Sequence, residues 1–404
     1  MSPASASGVE SPYAWARLVA SLLLATVGGV GMWSVVVVLP SVQAEFGVDR
    51  AAASIPYTAG MIGFAVGGVF MGRLGDRFGI VTPVVLSAIS LALGYVGAGL
   101  STSIWQFALM QGLLIGFFGC SAVFSPLVAD ISHWFDRRRG LAVGISASGN
   151  YLAGTVWPPI IQHLIDTIGW RHTYVAIGVT CIVAMLPLVL VLRRPSPRHG
   201  PAASGGGTLG RLPISTGGLQ AMLIVAGITC CLAMAMPQVH IVAYCGDLGY
   251  GVARGAEMLS LMLGFGVISR LASGWISDRI GGVRTLLLGS MLQMATLFLY
   301  LPFDGLMSLY VVSALFGLAQ GGIVPSYAII IREYMPASEA GTRVGIVMMA
   351  TIIGMAAGGW VSGAIFDWTG SYQVAFLNGI AWNMVNAGIA LWLLFAGRRR
   401  FASA

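Results

Sequence analysis

Long apolar runs of about twenty residues alternate with short polar breaks along the whole chain. A membrane-spanning helix needs ~20 apolar residues, and a window of that length predicts twelve spans. Because the runs are continuous, they favour helices over barrel strands, which alternate over ~10 residues. We therefore predict an all-α, polytopic membrane protein. The predicted spans are residues 17–39, 53–75, 80–100, 103–128, 140–163, 172–192, 217–243, 256–276, 283–302, 307–330, 342–365 and 373–396.

The composition excludes several classes of protein. The 404 residues are 57% hydrophobic and only 9% charged, with a mean hydropathy of +0.86, which is not typical of a soluble domain or a disordered chain. The five cysteines lie mostly inside apolar runs and lack the spacing of a zinc site. No nucleophile with a paired base and no phosphate-binding loop is evident. We expect no enzyme activity, cofactor or metal.

The arginines indicate the topology. All 21 basic residues are arginine, and they lie in the breaks between apolar runs rather than on a soluble face, so nucleic acid is not an expected partner. With the N-terminus inside, 17 of the 21 fall on the cytoplasmic side, as the positive-inside rule requires. Arg50, Arg171 and Arg254 fall outside, and Arg270 lies within the eighth span. We predict a multi-pass protein of the cell (inner) membrane with both termini cytoplasmic.

The chain contains an internal repeat. Its longest polar break, rich in Pro, Gly and Ser, lies near the middle. We predict a six-helix bundle over residues 1–192, a cytoplasmic linker over 193–216 and a second bundle over 217–404, with any substrate site between the halves near mid-membrane. The repeated landmarks are Gly72–Gly79 with Gly274–Gly281, 202 residues apart, and Asp166–Gly169 with Asp367–Gly370 and Gly144 with Gly345, both 201 residues apart.

The doubled Gly-x-x-x-Asp-Arg-x-Gly loop resembles the signature of the major facilitator superfamily of secondary transporters. Its glycines permit close approach of helix ends, and its aspartate can accept hydrogen bonds in a contact that breaks when the cytoplasmic side opens. The simpler interpretation is a loop that holds arginine inside the cell. The candidate gating residues are Gly72, Asp76, Arg77, Gly79, Asp278 and Arg279.

A second motif is more specific. The stretch Trp134–Asn150 has an aromatic pair, the cluster Arg137, Arg138 and Arg139, then Leu-Ala-x-Gly and small residues. It resembles the signature of the monocarboxylate transporter family, and we expect a bacterial member. Its small residues suit helix packing, and its arginines suit a cytoplasmic anchor. The resemblance implies a twelve-helix transporter with a substrate-binding arginine in span 8.

Arg270 is that span-8 arginine. A central arginine costs roughly 2.5 to 3.5 kcal/mol on insertion scales, so it indicates a functional site. All fourteen acidic residues lie at or near the ends of the predicted spans, so a substrate carboxylate is the expected counter-ion. A structural arginine bound to carbonyls or a loop acid is the alternative. Relatives that carry dicarboxylates keep a lysine in span 11, whereas Val344–Gly354 has no cation, which favours a monoanion.

Proton coupling is less clear from the sequence. Animal members of the family have an aspartate four residues before the arginine, where this chain has Gly266, and a lysine after a span 1 proline, where Ser41 follows Pro40. His240, near the outer end of span 7, is the candidate proton carrier because histidine titrates near neutral pH. It is otherwise an ordinary buried histidine, and an anion and a proton can also move together as a neutral pair.

The remaining polar residues inside the spans are candidate substrate ligands or interhelical contacts. They are Tyr327, Gln320, Asn383 and Tyr151, with Asn386 and Asn150 beside them. The sequence therefore predicts a monomeric secondary transporter of lactate- or pyruvate-like monoanions, embedded in the bilayer and proton-coupled, working by alternating access. The alternatives are an exchanger of other small carboxylates, a drug or cation exporter of the same fold, and a receptor that moves nothing.

Overall fold

The computed structural model describes residues 10–135, 138–194, 214–336 and 340–398, and these ranges contain fourteen α-helices. A π-helical segment, Met110–Gly119, and a 3₁₀ turn, Cys120–Val123, connect α5 to α6. The helices are α1 Pro12–Gly28, α2 Val30–Phe46, α3 Arg50–Phe78, α4 Val81–Gly99, α5 Ile104–Leu109, α6 Ser125–Ile131, α7 Arg139–Val191, α8 Thr216–Asp247, α9 Val252–Ile280, α10 Gly282–Leu299, α11 Leu306–Gln320, α12 Ile323–Tyr334, α13 Ala340–Thr369 and α14 Tyr372–Arg398.

Eleven helical stretches in the described ranges are long and apolar enough to cross a membrane. One of them, Leu141–Val191, has 51 residues, about 77 Å of helix and more than twice a bilayer core. Gly169 interrupts it with φ 78 and ψ 157, so it counts as two crossings. The all-α membrane fold is confirmed, and twelve crossings match the prediction. The expected loop between the fifth and sixth spans is helical except at this glycine.

The fourth and tenth spans are irregular. Between α11 and α12 the helix breaks at Gly321–Gly322. The fourth span passes through the π-helical segment, and Gly119, which lies 202 residues before Gly321, has non-helical φ −86 and ψ −90. Glycines in both spans lie in close contact with a neighbouring helix. A Cβ on Gly116 would lie 2.5 Å from the Gly60 carbonyl oxygen, and one on Gly321 would lie 2.4 Å from the Gly266 carbonyl oxygen. Broken helices of this kind are typical of transporter binding regions.

The described chain forms two compact units. Unit 1 consists of Met1–Gly47 and Ile55–Ala202, and unit 2 of Val48–Ser54 and Ala203–Ala404. The short segment Val48–Ser54 thus groups with unit 2, although chain on both of its sides belongs to unit 1. Most of the predicted linker, residues 195–213, lies outside the described residues.

Unit 1 contains a buried ion pair at the N-terminal end of α1. The Arg17 guanidinium donates to both carboxylate oxygens of Asp130 at 2.7 and 2.8 Å, and it lies over the Trp134 ring at 4.7 Å. Its remaining nitrogen donates to the carbonyls of Leu192 and Arg194. A cavity of about 990 Å³ opens beside the pair, and the predicted substrate-binding residues are not among its described lining.

Unit 2 is organised around α8. Every residue from Thr229 to Cys245 is buried, as expected of a helix that is apolar on all sides. Helices α9, α13 and α14 pack around it. The aromatic residues Tyr244, Tyr300, Tyr372 and Phe376 form part of this core, with the rings of Tyr300 and Phe376 stacked 4.8 Å apart.

The sequence repeat has a counterpart in the backbone. The last glycine of each motif loop, Gly79 and Gly281, has φ 82 and 83 and ends its helix, with the Gly281 amide donating to the Ser277 carbonyl at 2.9 Å. This is the usual role of a glycine after a helix C-terminus. Gly169 and Gly370 also share positive φ values, 78 and 67.

Candidate functional site

Arg270 lies well inside a span. It precedes the end of α9 by ten residues, which is about 15 Å of helix. Its side chain is half-buried, and Nε lies 3.5 Å from the Gly321 carbonyl oxygen at the break between α11 and α12. This contact exists because α9 and α11 approach closely. A Cβ on Gly317 would lie 2.1 Å from the Met262 carbonyl oxygen.

A buried amide pair lies at the same helix break. Gln320, the last residue of α11, accepts a 2.6 Å hydrogen bond from Gln238 of α8 through its side-chain oxygen. Its amide nitrogen is buried and has no acceptor among the described residues. Buried amide donors normally have a partner. The helix break therefore has a buried amide donor without an acceptor among the described residues, at Gln320, next in sequence to the glycine whose carbonyl contacts Arg270.

Tyr327 and Asn383 belong to a polar network inside unit 2. The Tyr327 hydroxyl donates to Asn386 Oδ1 at 3.0 Å, and Asn386 Nδ2 donates to the Ser290 hydroxyl at 2.7 Å. Asn383 Nδ2 donates to the Ser290 carbonyl at 2.8 Å. All four side chains are buried. The network links α10, α12 and α14, which is the interhelical role that the sequence left open for these residues.

Tyr151 lies in unit 1, on α7, and its side chain is almost completely buried. Next to it, the Asn150 backbone carbonyl accepts a hydrogen bond from Trp33 Nε1 at 3.0 Å. The four other predicted substrate ligands lie in unit 2. Tyr151 therefore belongs to unit 1, whereas Arg270 belongs to unit 2.

His240 is fully buried and belongs to a hydrogen-bonded chain that runs from Gly359 to Asp247. Nε2 lies 2.8 Å from the Gly359 carbonyl oxygen, and Nδ1 lies 3.4 Å from the Tyr372 hydroxyl. That hydroxyl also accepts a 2.9 Å bond from Arg50 NH1, and Arg50 NH2 donates to Asp247 at 3.1 and 3.3 Å.

The predicted motif residues lie at helix ends. Gly72, Arg77 and Gly79 lie at the end of α3, where Arg77 lies over the Phe78 ring at 5.2 Å. Asp278 and Arg279 are exposed in the last turn of α9. The backbone amide of Arg138 donates to Glu10 at 2.9 Å. The side chains of Asp76 and Arg139, and the whole of Arg137, lie outside the described residues.

Sequence reasoning missed Arg50, Asp247, Tyr372 and Gln238 as site residues. The sequence placed Arg50 and Asp247 at outer span ends, where charged residues are ordinary. A glutamine two residues before His240 in an apolar run was the signal that could have identified Gln238. Within the described residues, no group of three His, Cys, Asp or Glu side chains is arranged to hold a metal, and all five cysteines are buried and unpaired.

Comparison with known proteins identifies the family. The family model of the Major Facilitator Superfamily matches residues 21–313 and 282–402. The chain belongs to the major facilitator superfamily. Family members are transporters, and this chain is accordingly a multi-pass transporter rather than an enzyme.

The relatives are monocarboxylate transporters and other carriers. Monocarboxylate transporter 13 of Bos taurus is 29% identical over 353 residues, covering 84% of this chain and 79% of the relative. Monocarboxylate transporter 11 of Homo sapiens is 28% identical over 357 residues, covering 83% and 72%. The transporter pynF of Aspergillus niger is 27% identical over 306 residues, covering 75% and 69%.

A solved structure has the same fold. The bacterial homolog of the human lysosomal transporter Spinster, in its inward-facing and occupied conformation, aligns with a TM-score of 0.67 over 97% of each chain. Its sequence is 16% identical, so this likeness supports the fold alone.

Proposed function

We propose that this transporter carries small organic monocarboxylate anions, such as lactate or pyruvate, together with a proton, by alternating access. The observation that carries the proposal is the position of Arg270, an arginine ten residues, or about 15 Å of helix, before the end of α9. An ionisable group at such depth is expensive, and transporters retain it for a substrate or ion pathway. The membrane placement with cytoplasmic termini and the monomeric state belong to the same proposal.

The chemistry around Arg270 suits a carboxylate. A guanidinium presents two parallel N–H groups that match the two oxygens of a carboxylate. The buried amide nitrogen of Gln320 lies one residue from Gly321, whose carbonyl contacts Arg270, and supplies a further donor for the anion. Donors from two helices would orient the carboxylate, leaving the short carbon chain against apolar residues.

The sequence of α13 favours a singly charged substrate. The residues Val344–Gly354 of α13 are apolar or small and carry no second positive group. One guanidinium balances one carboxylate, so a monoanion fits better than a dianion. The monocarboxylate transporters among the relatives support the same class of substrate.

The test is substrate binding and uptake by the purified protein. We expect Arg270→Gln to weaken lactate or pyruvate binding roughly ten- to a hundredfold, because a hydrogen bond to a charged group contributes about 1.5–3 kcal/mol. Arg270→Lys keeps the charge but loses the planar guanidinium, so its affinity should fall between those of the wild type and Arg270→Gln. Arg254→Gln is the matched control, since Arg254 lies on the same helix and is exposed beside Glu257.

The measurements are thermal-shift titration with short-chain carboxylates and uptake of labelled lactate into liposomes. Uptake by Arg270→Gln at the wild-type rate would refute the proposal. Equal stabilisation by dicarboxylates would favour the exchanger alternative. Binding of organic cations without carboxylates would favour the exporter alternative.

A further inference from the structure

The segment Val48–Ser54 is anchored on unit 2 by the start of α3. The Asp367 carboxylate accepts hydrogen bonds from the backbone amides of Arg50 and Ala51 at 2.8 and 2.6 Å. An acid at this position satisfies free amides of the first helical turn and interacts favourably with the helix dipole. The segment groups with unit 2, although α2 and the rest of α3 belong to unit 1. The start of α3 is therefore held by residues of unit 2.

Arg50 provides the side-chain part of this contact. The residue is 7% exposed, and its guanidinium binds Asp247 and the Tyr372 hydroxyl and lies over the Phe366 ring at 4.9 Å. The Asp247 side chain is 39% exposed. Arg50 Nε is buried and has no acceptor among the described residues. One donor of this guanidinium is thus unsatisfied, and its counter-ion is partly hydrated.

The hydrogen bonds from Arg50 to His240 have one direction. A guanidinium can only donate, so the Tyr372 oxygen is the acceptor from Arg50 and its proton points to His240 Nδ1. A carbonyl can only accept, so His240 Nε2 carries the proton that faces Gly359. This arrangement requires neutral histidine, because Nδ1 must accept.

A proton on Nδ1 would reverse the hydrogen bond between His240 and Tyr372. Nδ1 would then donate to the Tyr372 oxygen, which would accept from two cations at once, and the Tyr372 proton would lose its acceptor. Two cations would compete for one hydroxyl in surroundings that screen charge poorly.

The other charged and titratable groups are arranged around Arg50 or away from the histidine. Asp247 binds Arg50, and Asp367 of α13 binds the backbone at the start of α3. Tyr244 of α8 contacts the Tyr372 ring. On α9, Glu257 binds Arg254 and Tyr310.

We propose that protonation of His240 and the hydrogen bond from Arg50 to Tyr372 oppose each other, so that binding of a proton weakens the contacts that hold the segment Val48–Ser54. Arg50, Tyr372 and His240 together then form the coupling site of the carrier. The proposal rests on the proposed proton-coupled transport, but its contacts are separate from Arg270. The proton is linked to a movement of the chain, and the carboxylate is bound elsewhere.

The test measures docking without any substrate. Ser54 is fully buried within the docked segment, so in a Ser54→Cys variant the thiol should react with a water-soluble quaternary-ammonium thiosulfonate only after release. Thr102→Cys, on an exposed turn, corrects for the intrinsic pH dependence of thiol reactivity. The five native cysteines are buried, so the parent chain gives the background.

We expect the corrected rate at Ser54→Cys to rise on going from pH 8 to pH 5.5. One linked proton changes an equilibrium constant by at most about tenfold per pH unit. In the His240→Gln background the rate should stay low and independent of pH. In the Arg50→Gln background the rate should be high at every pH, because no guanidinium then competes with His240 for the Tyr372 hydroxyl.

A corrected rate that does not change with pH in the wild-type background would overturn the proposal. So would an unchanged pH dependence after His240→Gln. If His240→Gln does not fold, Tyr372→Phe replaces it, since removing the shared hydroxyl must also abolish the pH dependence. None of these results depends on a carboxylate, so failure here is distinct from failure of the Arg270 experiment.

Discussion

At the scale of single residues, the sequence showed which polar side chains lie within apolar runs, but it did not show which residues they contact. Arg270, Gln320 and Asn383 stand out because each interrupts a long apolar stretch. Arg50 does not, because an arginine at a span end is ordinary. Its burial depends on Asp247 and Tyr372, which are 197 and 322 residues away in the chain. No local pattern encodes such a contact.

The buried pair of Arg17 and Asp130 leads to a prediction about stability. Asp130→Ala leaves a fully buried guanidinium without its counter-ion, and breaking such a pair costs about 3–5 kcal/mol. We expect a clear fall in the thermal unfolding midpoint of the purified protein. The double variant Arg17→Met/Asp130→Leu should recover much of the loss, because apolar replacements of a buried pair are often tolerated.

The exposed pair of Arg254 and Glu257 supplies the comparison. Arg254→Ala should leave the unfolding midpoint within experimental error, because water screens this contact. If Asp130→Ala were as mild as Arg254→Ala, the Arg17–Asp130 pair would not be the stabilising contact that its burial indicates.

At the scale of helices, the sequence predicted where spans lie because length and hydropathy determine them. It did not predict how the fifth and sixth spans are joined or how the fourth span is interrupted. The break at Gly169 was expected to be a loop, and the π-helical segment Met110–Gly119 was expected to be ordinary helix. That segment packs closely against α3, since a Cβ added to Gly63 would lie 2.0 Å from the Gly112 carbonyl oxygen. This irregularity arises from packing between helices that are distant in sequence, which hydropathy does not report.

The close approach of α9 and α11 can be tested at Gly317. A Cβ there would lie 2.1 Å from the Met262 carbonyl oxygen, so Gly317→Ala must push the helices apart. We expect a lower unfolding midpoint and weaker carboxylate binding, because Arg270 and Gln320 lie on the same two helices. Overpacking of this kind typically costs about 1–3 kcal/mol.

Gly388 of α14 is the matched control for that substitution. It is helical and exposed, and a Cβ added there would have no neighbouring atom within 4 Å. Gly388→Ala should be neutral or stabilising by up to about 1 kcal/mol, because alanine loses less entropy than glycine in a helix. Equal effects of the two substitutions would show that the α9–α11 contact is not tight.

At the scale of the whole molecule, the internal repeat and the number of spans could be inferred from sequence, whereas the grouping of Val48–Ser54 with unit 2 could not. The repeat is visible because its glycines are needed for backbone geometry in both copies, as at Gly79 and Gly281. The grouping of the short segment is set by contacts with Asp367 and Asp247, which lie far along the chain. Hydropathy does not determine the orientation of the protein in the membrane, which is inferred from the distribution of arginines instead.

That orientation gives the last prediction. With 17 of 21 arginines assigned to one side, the positive-inside rule places the turns after α4 and α13 outside and the turn after α6 inside. In intact cells, a membrane-impermeant maleimide should label Thr102→Cys and Ser371→Cys, and should label His133→Cys only after the membrane is permeabilised. The native cysteines are buried and contribute little background. Labelling of His133→Cys in intact cells, with Thr102→Cys protected, would invert the topology, and the proposed outer position of the His240 cluster would be wrong with it.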